Sequence, residues 1–194
     1  MEQQRQLRMI RPNLDNLPPV IVPNGCQIRT YLPGDEAAWA EIMNTGIGTG
    51  WSVEMVKDQL ISQPQFDAKG LFFAICNGHP IGSACAWRGS LEEQVMGNVH
   101  MVCVLPEARG NNLGYLLTLA VLHRLKQQGF RQADLLTDDF RIPAIRSYLR
   151  LGFEPFCYDE TDVERWGKVM EAVAVGNALR SVPPGSPTER LDQG

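Results

Sequence analysis

RGNNLG, residues Arg109–Gly114, lies between the apolar run NVHMVCVLP (98–106) and the helical pattern YLLTLAVLHRLKQQG (115–129). Two glycines and two asparagines at a strand-to-helix junction permit two readings. One is a tight turn with Gly110 and Asn112 at positive φ. The other is an anion cradle, in which free backbone N–H groups and the positive end of the helix dipole converge on a phosphate. The stretch lacks the Gly-Lys-Ser/Thr ending of a P-loop and is not the GxGxxG of a dinucleotide fold.

Working outward, Val99–Leu105 is apolar at every second position on both faces except His100, as a central strand covered on both sides requires. LFFAIC (71–76) and PIGSACAWR (80–88) flank NGHP, a hairpin with an Asn-Gly turn signal. CQIRTY (26–31) alternates like a strand. GDEAAWAEIMNTG (34–46) and SVEMVKDQLIS (52–62) read as helices joined by TGIGTGW (45–51), whose glycines allow close approach to a ligand. Downstream, Leu116, Leu117, Ala120, Val121 and Leu125 define a broad apolar helical face closed by Gly129. ADLLTDD (133–139) is a short strand, IPAIRSYLRLG (142–152) a helix with Pro143 in its first turn, and FEPFCY (153–158) a last strand. TDVERWGKVMEAV (161–173) reads as a C-terminal helix capped by Thr161 or Asp162. Antiparallel strands followed by β-α-β-α-β define an α+β, mixed-sheet fold.

The 194 residues, 44% of them hydrophobic, suffice for one sizeable core. Residues 1–24, with four of the thirteen prolines, read as an extended arm, 25–175 as a single domain and 176–194 as a flexible tail. A net charge of −4 and a pI near 5.4 argue against nucleic acid as a partner. No apolar block suggests a signal peptide or a membrane span, and the five cysteines show no CxxC spacing. The expectation is a cytoplasmic protein with reduced cysteines, no metal and no membrane partner.

The run VCVLPEARGNNLGYLLTLAVLHRLKQQGF together with PAIRSYLRLGFEP resembles the GCN5-related N-acetyltransferases, over about Gln27 to Tyr158. Their pyrophosphate signature, Arg or Gln, two residues, Gly, one residue, Gly or Ala, falls on Arg109–Gly114 with Asn112 in place of glycine. Asparagine is the substitution best able to keep a left-handed backbone. The arm RPNLDNLPPVIVPNG and the segment DETDVERW also resemble a branch related to mycothiol synthase.

The resemblance implies a central mixed sheet of about six to seven strands flanked by helices. It implies acetyl-CoA as cosubstrate and an amine acceptor, on a small molecule or a peptide, acetylated by direct transfer in a ternary complex. Pantetheine would pair with the backbone of Val102, Cys103 and Val104, and Pro106 would mark where that strand parts from its neighbour. Pyrophosphate would meet the N–H groups of Gly110, Asn111, Asn112, Leu113, Gly114 and Tyr115, with Arg109 supporting the turn. Tyr148 would protonate the departing thiolate, although on a face with Ile145 and Leu149 it also reads as core. Arg141 stands where the family often has asparagine, and would meet a CoA phosphate or pair with Asp138 or Asp139.

For the base that frees the amine lone pair, the candidates are His100, which also reads as a core histidine, and Asp138 or Asp139 acting through water. Cys103 reads as buried rather than nucleophilic, since simple alternation sets it on the face opposite His100. Trp51 and Trp87 would line the acceptor cavity or fill core; His79 and His123 read as surface residues. A non-catalytic acyl-CoA-binding module is the alternative function, and either a monomer or a homodimer is compatible with the chain.

Overall fold

In a computed structural model that describes residues 4–181, the second apolar cluster of the chain forms around a helix whose sequence is half alanine and acid. Glu36–Asn44 (α1) buries Trp39, Ile42 and Met43 completely, and Val53–Val56 (α2), running on through a π-helical turn at Lys57–Ile61, adds Val56 and Leu60. Ser52 caps α2 by accepting the Met55 N–H at 3.2 Å. Both pieces lie on one face of a seven-stranded sheet.

The strands are Leu7–Arg11 (β1), Cys26–Thr30 (β2), Leu71–Cys76 (β3), His79–Trp87 (β4), Met96–Val104 (β5), Gln132–Thr137 (β6) and Glu154–Phe156 (β7), in the spatial order β2-β3-β4-β5-β6-β1-β7. All pairs are antiparallel except β5 with β6. The β3–β4 hairpin turns on Asn77 and Gly78, both at positive φ, as the Asn-Gly signal predicts. On the other sheet face lie Leu113–Gln127 (α3), Ile142–Arg150 (α4) and Glu160–Ser181 (α5). Leu117, Val121 and Leu125 of α3 join Leu7, Met9, Leu135, Ile145 and Trp166 in the larger core.

Several expectations change. Residues 1–24 are not all a peripheral arm: β1 sits inside the sheet between β6 and β7, with Leu7 and Met9 fully buried. Beyond it the proline-rich segment crosses α3, burying Leu14, and its Pro18 carbonyl lies 2.8 Å from Nε2 of His123 at the surface. The C-terminal helix is capped by Asp159, which accepts the Asp162 N–H, and not by Thr161 or Asp162. Asp162 is instead buried among Arg5, Arg165 and the Tyr158 N–H. Residues 176–181 continue α5, so the expected tail does not start at 176; 182–194 lie outside the described residues. Cys26 and Cys76 face each other across β2 and β3 with Cα atoms 4.1 Å apart and form a disulfide, against the expectation that all five thiols are reduced. Cys85 and Cys103 are free and buried, and Cys157 is exposed.

Candidate active site: a split between two parallel strands

The parallel ladder between β5 and β6 holds only from Met96–Gln132 to Asn98–Asp134. From Val99 onward the edge of β5 turned toward β6 has no strand partner among the described residues, and the sheet opens. The parting occurs well before Pro106, which instead starts the 3-10 turn Pro106–Ala108. Its local cause is a bulge: Ser83 pairs with Cys103 and Cys85 with His100, so three steps of β5 oppose two of β4, and Met101 takes φ +53°. The bulge also resets the alternation. Val99, Val102 and Val104 face the larger core, whereas His100, Met101 and Cys103 face the α1/α2 side. His100 and Cys103 therefore share a face, contrary to the simple alternation.

The opening continues into a slot of about 740 Å³ walled by Val102–Val104, the start of α3, and the Phe140, Arg141, Ser147 and Tyr148 side of α4. At one end is RGNNLG. Gly110 has φ +88° and Asn112 φ +60°, ψ +11°, the left-handed backbone that makes asparagine an acceptable replacement for glycine. Among the described residues, the backbone N–H groups of Gly110 through Tyr115 donate to no protein acceptor, and the first helical bond is from Leu116 N–H to Asn112 C=O. They stand at the positive end of the four-turn α3 with no acidic residue in its first turn. Arg109 donates from Nε to the Val104 carbonyl at 3.1 Å and so supports the turn. Asn111 donates to the Ala108 carbonyl at 3.3 Å. Arg150 donates to Asn112 Oδ1 at 3.1 Å and lies over the Tyr115 ring at 4.6 Å.

Tyr148 lines the slot, buried to 6% exposure, with its ring edge-on to Phe153. Burial pushes its phenol up to about 12, while the charge of Arg141 pulls the other way. Arg141 donates from Nε to Asp138 Oδ2 at 2.7 Å and from one terminal nitrogen to the Gly46 carbonyl at 2.7 Å. It takes the Asp138 alternative, not Asp139, and ties the α1–α2 loop to the α4 bank of the slot. Asn44 closes that loop by exchanging two 2.9 Å hydrogen bonds with the Trp51 backbone. Asp138 also accepts from Gln6, and Asp139 is paired with Arg165, which holds its carboxyl below the usual range. Both carboxylates are thus engaged in ion pairs.

His100 does not line the slot. It is half-buried and stacked on Trp87, ring centroids 5.6 Å apart, and burial lowers its pKa. Cys103 does line it, donating from Sγ to the Ile42 carbonyl at 3.2 Å, with Thr45 Oγ1 at 3.6 Å. Trp51 packs against the α1/α2 cluster, and Trp87 also borders a separate small cavity with Arg88 and Gln128. The sequence reading missed Arg146, Ser147 and Arg150 as slot residues, whereas Gly46 belongs to the glycine loop expected to approach a ligand. The spacing of Arg146 and Arg150, four apart on one helix face, was the available signal.

A Cβ on Gly46 would stand 2.7 Å from Cys103 Sγ. Gly46→Ala is expected to displace that thiol and cost about 1 kcal/mol, lowering Tm by roughly 2–4 °C. The Gly46→Ala/Cys103→Ala double variant should recover most of the loss in a thermal melt, and additive losses would contradict the contact.

A sheet split between parallel strands, with N–H groups that no acceptor among the described residues takes at a helix start on one flank, is the geometry of this slot. Residues 37–153 match the acetyltransferase (GNAT) family, and the chain belongs to it. It is 37% identical over 160 residues to mycothiol acetyltransferase of Thermomonospora curvata, covering 79% of this chain and 52% of that protein. To mycothiol acetyltransferase of Streptomyces griseus it is 36% identical over 154 residues, 77% and 49% respectively. The chain thus spans about half the length of these curated relatives. Among solved structures, a GCN5-related N-acetyltransferase from Sphaerobacter thermophilus aligns with a TM-score of 0.60 at 25% identity, over 79% of this chain and 50% of that one. A tandem GNAT protein from the clavulanic acid biosynthesis pathway shares the fold, with a TM-score of 0.58 at 20% identity, over 79% and 51%.

Proposed function

We propose that this chain is an acetyl-CoA-dependent N-acetyltransferase that passes the acetyl group directly to an amine. The observation that carries the reading is the row of unpaired N–H groups from Gly110 to Tyr115, held by left-handed Asn112 at one end of a slot that also contains Tyr148. The N–H row receives the pyrophosphate, Arg109 holds the turn, and Arg150, which donates to Asn112 Oδ1, adds positive charge at the same flank. The unpaired edge of β5 at Val102, Cys103 and Val104 receives pantetheine. The neutral amine attacks the thioester carbonyl, the C–S bond of the adduct breaks, and the Tyr148 phenol supplies the proton to the departing sulfur. The relatives named mycothiol acetyltransferase favour a small-molecule amine over a peptide.

His100 is the base in this scheme. Its lowered pKa keeps the imidazole neutral, and therefore able to accept a proton, at neutral pH. The bulge sets it on the same face as Cys103, three residues away or roughly 10 Å along the strand, so it would take the amine proton through intervening water and not by direct contact. The expected kcat/KM profile rises with pH through a midpoint below 6.5 that belongs to His100. In His100→Gln that limb is absent, and an unmoved profile removes His100 from the role. Tyr148 acts protonated, so it imposes no falling limb below about pH 12. Acetyl-CoA consumption measured across a panel of small amines tests the reading as a whole: binding without consumption would favour the acyl-CoA-binding module.

A further inference from the structure

Resting on the transferase reading, the geometry points to Arg141 as a catalytic residue whose free terminal nitrogen, together with Tyr148 Oη, receives the charge of the leaving CoA thiolate. Three observations carry it. The guanidinium is fixed before any ligand arrives: Nε is held by Asp138 Oδ2 and one terminal nitrogen by the Gly46 carbonyl, each at 2.7 Å. The other terminal nitrogen donates to no group among the described residues, and neither does Tyr148 Oη. Both side chains line the same slot, and the Arg141 charge acts on the Tyr148 phenol. A cation and a phenol that share a cavity wall, both with donors to spare, suit an anion that exists only during the reaction.

The chemistry balances without a further reactant. As the tetrahedral adduct collapses, the thioester C–S bond breaks and its electron pair goes to sulfur. The Tyr148 proton moves onto that sulfur, and the tyrosinate regains a proton from water, replacing the one the amine released. Arg141 transfers nothing; it stabilises first the thiolate and then the tyrosinate oxygen. An asparagine at this place would offer a dipole where arginine offers a full charge with two of its nitrogens already anchored. The anchoring by Gly46 also places the α1–α2 loop, which carries Trp51, beside the same reacting end.

The test needs no knowledge of the acceptor, because acetyl-CoA hydrolysis by water expels the same thiolate. Release of CoA thiol is followed at saturating acetyl-CoA, with acetyl-CoA binding measured calorimetrically beside it. Arg141→Gln keeps hydrogen-bond donors and loses the charge; its turnover is expected to fall by about 100-fold while Kd changes less than threefold. Turnover within threefold of the native chain would overturn the assignment. Should Arg141→Gln bind poorly, Arg141→Ala decides: methylguanidinium restores turnover and uncharged methylurea does not. Equal effects of the two, or no restoration, would overturn the charge role. A native chain that binds acetyl-CoA but releases no thiol, with or without amines, overturns both this assignment and the transferase reading.

Discussion

Tyr148→Phe should lower kcat for acetyl transfer by about 100-fold or more while leaving acetyl-CoA affinity almost unchanged, since positioned proton transfer contributes roughly 10²–10⁴-fold. The substitution removes one oxygen from a ring that otherwise keeps its packing against Phe153 and the surrounding core. That oxygen makes no hydrogen bond among the described residues, so its loss leaves no protein group unpaired, and stability should hold within about 0.5 kcal/mol. The contrast between kcat and Kd separates the acid role from simple core filling. A phenol serving only as packing would leave kcat alone as well. Because burial holds the phenol near 12, it remains protonated at every pH where the protein would ordinarily be assayed. The deficit of the Phe variant should therefore be flat across the neutral range. A deficit that appears only on the alkaline side would contradict the assignment.

The second large effect concerns the other end of the slot. Asn112 is at φ +60°, its side chain accepts from Arg150, and the free N–H groups begin two residues before it and end three after. A glutamate at 112 places a carboxylate among donors that would otherwise meet phosphate oxygens, and it pairs with Arg150 instead of leaving that cation to a ligand. Repulsion between unit charges about 4 Å apart is worth about 4 kcal/mol at an effective dielectric of 20, near a thousandfold in affinity. Asn112→Gly, which keeps the positive φ with no carboxylate, should bind within about threefold of native. The pair of variants distinguishes loss of charge complementarity from loss of turn geometry.

Much of this was legible from the residues. The turn RGNNLG is local: its glycine, its left-handed asparagine and the amphipathic helix behind it lie within one stretch, and local chemistry is what sequence displays best. Tyr148 was legible through the resemblance around PAIRSYLRLGFEP. What sequence concealed is non-local. The LRMIR strand at Leu7–Arg11 alternates, but only its partners, distant Gln132–Thr137 and Glu154–Phe156, make it a central strand. The bulge at Met101 arises from a mismatch in step between β4 and β5, which neither strand shows alone, and it reversed the relation of His100 to Cys103. The facing of Cys26 and Cys76 likewise depends on the register of β2 against β3 across fifty residues. Arg141 lines the slot, while its anchor on the Gly46 carbonyl joins residues 95 apart in the chain.

The central claim is that RGNNLG is a phosphate cradle, and calorimetric titration tests it most directly. Acetyl-CoA is titrated into the native chain, Asn112→Gly and Asn112→Glu, with dephospho-CoA as a second ligand that retains the pyrophosphate. The account predicts micromolar binding of both ligands to the native chain and to Asn112→Gly, and no measurable binding of either to Asn112→Glu. Absence of binding by the native chain, or undiminished binding by Asn112→Glu, would contradict it and leave RGNNLG as a turn.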